Sequence, residues 1–137
     1  MTDAEHAEYG ADPETALITP AACAVPDASG PRLKGKQRVR LTPGSLAARA
    51  FEADEIAAEF HCTNELNRRF QPLFEDSSLR VTGVGDEGEA RVVELTGGRF
   101  FIATLFLPQV AALEREPSPL IDSYIGAAAA SPQGGVS

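Results

Sequence analysis

The sequence has no tryptophan, one methionine, two tyrosines, two cysteines and two histidines among 137 residues. Each scarcity excludes something. Cys23 and Cys62 form no CxxC pair and no Cys/His set at zinc spacing, so neither a disulfide framework nor a structural metal site is expected, and reduced thiols imply a reducing, cytoplasmic compartment. No apolar run reaches the ~18 residues of a membrane span, and the amino terminus carries acids where a signal peptide is cationic. Cations are missing from the first thirty residues, which hold Asp3, Glu5, Glu8, Asp12, Glu14 and Asp27 but no Lys or Arg. With a net charge of −8 the chain lacks the clustered basic surface that releases counterions from phosphates, which excludes nucleic acid as a partner.

What is present suits one domain. At 43% hydrophobic residues the chain can bury a core. Composition divides it into an acidic leader at 1–15, a domain at 16–130 and a flexible tail at 131–137. "ALIT" predicts a short strand stopped by Pro20, "VPDASGP" an exposed loop, and "KQRVRLTP" a half-buried strand with Val39 and Leu41 on its apolar face. The basic run "PRLKGKQRVR" reads as a solvated strand edge. Ser45 is a cap for one short helical turn, and "EIAAEFHCTNEL" is a strand over its second half. Asn67 caps a short helix through Phe70, Leu73 and Phe74, limited by Pro72.

"LRVTGVGDEGEARVVEL" is a hairpin, with Asp86, Glu87 and Glu89 in its solvated turn. "RFFIATLFLP" predicts a strand buried on both faces, and "SPLIDSYIGAAAA" a helix with Leu120, Tyr124 and Ala127 or Ala128 on one face.

Six segments in order, "DAEHAEYGADPET", "RVRLTPGSLAARAF", "AEFHCTNELNRRF", "SLRVTGVGDEGEARVVEL", "RFFIATLFLPQV" and "SPLIDSYIGAAAA", resemble the glutaminase domain of CTP synthase, a class I glutamine amidotransferase. The likeness is closer still to the group described as CTP synthase carboxy-terminal-region-related (seleno)proteins. It implies a truncated, doubly wound, flavodoxin-like α/β domain, with a mixed sheet, a β-hairpin and a carboxy-terminal helix. It also implies that the strands and helices bearing the nucleophile elbow precede this chain. The bared sheet edge is then expected to need a homo-oligomer or a protein partner.

Carried over residue by residue, the resemblance removes the chemistry. Such a glutaminase needs a cysteine nucleophile, a histidine to take its proton and a carboxylate to orient that histidine. The histidine position is Leu107 and the glutamate position Gln109. Of the two positions that hold glutamine, Glu8 is kept, whereas the arginine position is Thr63, which cannot pair with a substrate carboxylate. The shape of the last strand is retained without its proton transfer, so no glutaminase or CTP synthase activity of its own is expected.

Glu8, His61 and Thr63 are therefore the ligand-binding candidates, and Cys62 the reactive thiol candidate. Adjacent strand residues point to opposite faces, so His61 is not expected to face Cys62, and a packed, inert cysteine competes with the reactive one. The functional expectation is a degenerate homologue that binds a small amino-acid-like or nucleotide-like ligand or a protein partner, without a cofactor. The alternatives are a thiol-dependent or redox protein using Cys62, and an accessory part of CTP, hence pyrimidine nucleotide, biosynthesis.

Overall fold

The alternation read at residues 37–41 belongs to a longer strand that organises the molecule. The computed structural model describes residue 6 and residues 10–21, 25–27 and 30–131. In chain order the elements are β1 (Ile18–Pro20), β2 (Val25–Asp27), β3 (Gly30–Leu41), α1 (Leu46–Phe51), β4 (Glu55–Cys62), β5 (Asn64–Leu66), a 3-10 helix (Arg68–Phe74), β6 (Leu79–Val84), β7 (Ala90–Leu95), β8 (Ile102–Thr104), α2 (Val110–Leu113) and α3 (Pro119–Ala130).

All pairs of these strands are antiparallel. β3 carries β4 along its length, from Leu33 opposite Cys62 to Arg40 opposite Glu55, and meets β6 where Leu41 faces Gly83. From there the sheet continues through β7 to β8, while β1 and β5 form a separate two-stranded ribbon. The residues after β8 then turn back: the Leu105 N–H donates to the Arg91 carbonyl at 2.9 Å and the Leu107 N–H to the Glu59 carbonyl at 3.1 Å. That segment bridges β7 to β4, so the sheet curls upon itself. Inside the curl lie Val39, Leu41, Ala58, Phe60, Val92 and Phe106, with Ala47 and Ala48 of α1 closing one end. Phe60 and Phe106 meet edge to face at 5.8 Å, and burying each ring contributes about 1.5–3 kcal/mol.

α1 is only one and a half turns long and is held by its start. The Ala48 N–H donates to Ser45 Oγ at 3.0 Å, and the Glu94 carboxylate accepts from the N–H groups of Leu46 and Ala47 at 3.1 and 3.0 Å. Thr82 donates its hydroxyl to the same carboxylate at 3.1 Å. A buried acid at a helix start satisfies donors that no helical carbonyl can reach.

The structure corrects several expectations. Residues 25–27 form a strand paired with the start of β3 rather than an exposed loop, because Val25 and Pro26 are both comfortable in extended backbone. The basic run lies within β3, which pairs with β4 from Leu33 to Arg40, with β2 only at Gly30–Arg32 and with β6 only at Arg40 and Leu41, so its middle has one neighbour, as expected of a strand edge; Lys36, Arg38 and Arg40 reach solvent because they alternate with inward residues. β4 begins at Glu55, six residues before His61, so the extended segment is longer than expected. The run after Arg99 is a three-residue strand half-buried on one side, with Phe101 47% exposed, because β8 has a neighbour only in β7. Tyr124 does not share the packed face of α3 and is 58% exposed; Leu120 is buried, and Ser123 donates its hydroxyl to the Ala50 carbonyl at 3.2 Å. Asn67 does cap its helix, but as a 3-10 helix, whose tighter winding tolerates Pro72.

Candidate functional site

β4 sorts the sequence candidates by its two-residue period. Ala58 and Phe60 point inward, so Glu59 and His61 lie outside, where His61 Nε2 stands 3.5 Å from Glu59 Oε1. Cys62 returns to the inner side, half-buried, and its thiol donates to the Leu105 carbonyl at 2.7 Å. His61 and Cys62 thus point apart, as the alternation requires. Thr63 is exposed, and its carbonyl accepts from the Ala21 N–H at 3.0 Å, which ties β5 to the chain after β1.

Leu107 sits beside this outer face. Its N–H is bonded to Glu59, and with Pro108 it walls a cleft of about 330 Å³ that Lys36, Glu59, Glu114 and Glu116 also line. Lys36 Nζ is 4.0 Å from Glu114 Oε2. Ser118 closes the far side and donates its hydroxyl to the Pro108 carbonyl at 3.2 Å. The cleft therefore offers one cation, several carboxylates and an apolar wall, and the Leu107 side chain can neither take nor give a proton. Gln109 is exposed at the start of α2, where its carbonyl accepts from the Leu113 N–H at 3.4 Å. Glu8 and Cys23 lie outside the described residues. Among the described residues no group of three or more His, Cys, Asp and Glu side chains is placed to hold a metal ion, and no helix is long and apolar enough to cross a membrane.

Sequence reasoning missed the most buried polar group. Arg91 is 1% exposed and donates to Glu65 Oε2 at 3.2 Å and to Glu89 Oε1 at 2.7 Å, both carboxylates being 3% exposed. Its guanidinium carbon lies 5.1 Å from the Phe60 ring centre, and its Nε–H has no hydrogen-bond partner among the described residues. Glu89, read from sequence as part of a solvated turn, is instead folded inward. It accepts from the Glu87 N–H at 3.1 Å and stands 3.6 Å from Arg68, whose guanidinium is held above its usual pKa by its hydrogen bond to Glu87 and by the neighbouring carboxylates. The available signal was glycine: a Cβ on Gly85 would lie 1.9 Å from Glu89 Oε1, so only glycine leaves room for the inward carboxylate. This cluster binds β5, the 3-10 helix and the hairpin together.

Compared with known proteins, no protein-family model matches the chain. It is 33% identical over 131 residues to the CTP synthase of Acaryochloris marina, covering 93% of this chain and 24% of that one. The CTP synthase of Nostoc punctiforme is 30% identical over 135 residues, covering 95% and 24%. The glutaminase domain of Trypanosoma brucei CTPS, solved with bound acivicin, shares the fold with a TM-score of 0.78 at 20% identity, over 96% of this chain and 52% of that one. The chain spans about a quarter of the length of these curated relatives and about half of the solved domain.

Proposed function

From the premise that this chain is a glutaminase-domain-like homologue of the CTP synthases, we propose that it binds a small amino-acid-like molecule in the cleft beside Leu107 without hydrolysing it. The carrying observation is the cleft's chemistry. Lys36 can meet a carboxylate and Glu59 or Glu114 an ammonium group, while Leu107 and Pro108 present apolar surface where a hydrolase would need a base. His61 is the nearest imidazole by strand position, and it is engaged with Glu59 rather than lining the cleft. Hydrolysis by a thiol also needs a base within hydrogen-bond reach, and Cys62 faces the Leu105 carbonyl instead. The reading is of a cytoplasmic pseudoenzyme that holds a ligand of pyrimidine nucleotide synthesis.

The test pairs an ammonia-release assay on L-glutamine with calorimetry using L-glutamine and L-glutamate. No ammonia above the buffer rate, together with saturable binding that Lys36→Ala weakens at least fivefold, is the expected result. Release of ammonia by the purified chain would overturn it, as would an absence of binding by both amino acids.

A further inference from the structure

Two arginines meet at the turn between β7 and β8 without an acid to balance them. Arg99 stands in the turn, and Arg49 reaches the same place from the last turn of α1, where its guanidinium donates to the Gly44 carbonyl and is held by it. Together they line a hollow of about 410 Å³, within the size range of small-molecule sites. Among the described residues neither has a carboxylate within salt-bridge distance, although the chain carries 20 acids against 12 lysines and arginines. The acid in the hollow's wall, Glu94, is 7% exposed and already accepts from the N–H groups of Leu46 and Ala47 and from the Thr82 hydroxyl. Cations gathered in a hollow of an otherwise acidic chain attract negative charge from outside it.

The turn itself adds donors. Gly97 has a φ of +74°, which glycine adopts without strain, and the N–H groups of Gly97, Gly98 and Arg99 find no acceptor among the described residues. Successive amides in such a turn make a concavity suited to anions, and guanidinium groups match phosphate oxygens with paired hydrogen bonds. The turn leads into a strand and not a helix, so the two arginines supply the charge that a helix dipole gives elsewhere. One wall is apolar: the half-buried Phe100 ring, set edge to face against Tyr124 at 5.9 Å, offers a flat group a surface to lie against.

We propose that this hollow binds a small organic phosphate monoester of nucleotide size, its phosphate held by Arg49, Arg99 and the turn amides and its planar group resting on Phe100. A nucleic acid strand is not the occupant, because two arginines can hold one phosphate but cannot follow a backbone. The cleft beside Leu107 shares no lining residue with this hollow and follows the other end of β8 in the chain. The inference therefore goes beyond the ligand reading and does not depend on it.

The test titrates the full chain with adenosine monophosphate and uridine monophosphate by calorimetry, with inorganic phosphate and adenosine as controls, and follows the backbone amides by NMR. Saturable one-to-one binding of at least one nucleotide is expected, at least tenfold tighter than either control, with the largest shifts at Gly97 and Gly98. Arg99→Gln should weaken it at least fivefold and leave the melting temperature unchanged, because that side chain has no charged partner among the described residues. Arg49→Gln should weaken it as much, whereas Lys36→Ala in the cleft should leave it as it was. Three results would overturn the proposal: no binding of either nucleotide at millimolar concentration, inorganic phosphate binding as tightly as the nucleotides, or nucleotide binding that a folded Arg99→Gln chain retains in full. Calorimetry with L-glutamine and L-glutamate reads the cleft independently, so the two readings fail separately.

Discussion

Among the described residues Arg91 is the largest of the fully buried side chains. Removing one member of a buried ion pair leaves the other charged groups without compensation, at a typical cost of about 3–5 kcal/mol. Arg91→Ala takes the guanidinium from Glu65 and Glu89, leaving Glu89 with Arg68 and the Glu87 N–H, and should lower the urea midpoint by an amount toward the lower end of that range. Replacing all three with Met, Leu and Leu should recover most of the loss, because an apolar cluster of similar volume carries no desolvation penalty. A triple variant as unstable as Arg91→Ala would contradict this account. Little of the cluster was legible beforehand, since "GDEGEAR" has the composition of a solvated turn and the inward path of Glu89 depends on the space at Gly85. Leu107, Gln109 and Thr63 could be singled out in the sequence because the resemblance sets each against a residue type whose chemistry is specific. Cys62 was legible in direction alone: alternation placed it opposite His61, while the carbonyl it meets comes from a segment 43 residues away.

At the scale of elements, the hairpin shows how tightly small residues are required. A Cβ on Gly83 would lie 2.6 Å from Cγ2 and 2.8 Å from Cβ of Val92, both within the packed curl. Gly83→Ala should therefore destabilise by about 1–3 kcal/mol through overpacking, measured by thermal melting, and Val92→Ala in the same chain should return part of it. The 3-10 helix is tied to the hairpin by Gln71, whose amide donates to the Gly88 carbonyl at 2.9 Å and accepts from the Ala90 N–H at 3.1 Å. Gln71→Ala should cost about 1–2 kcal/mol and speed exchange of the Ala90 amide selectively. If exchange rose equally throughout β7, the tie would be global rather than local. The hairpin and the caps Ser45 and Asn67 were visible in sequence because their signals are local. β8 was overestimated because an apolar run says that a segment seeks cover without saying whether this chain supplies it.

For the molecule as a whole, the groove of about 220 Å³ between the β1/β5 ribbon and the β7/β8 pair, lined by Leu17, Leu66, Val93, Ala103 and Leu105 together with Arg91, has a solution signature. The free chain is expected to bind the dye ANS, and Ala103→Lys should reduce the signal by placing a charge among the apolar walls. Signal unchanged by that substitution would place the dye elsewhere. The exposed charges are dispersed, with Arg38 2.7 Å from Asp86 and Arg68 2.9 Å from Glu87, and such surface pairs contribute little to stability. The glutaminase-type fold was legible only through the order of six segments taken together, since no single one specifies how the sheet curls.

The bridge at residues 105–107 has a consequence for thermodynamics. Leu105 lines the groove and Leu107 lines the cleft, and the two are joined by Phe106, whose ring is fixed against Phe60 in the core. The cleft and the groove thus share a single short, anchored segment. Were both to be occupied, any coupling between them would be reciprocal: the factor by which a molecule in the cleft changed affinity in the groove would equal the factor by which one in the groove changed affinity in the cleft.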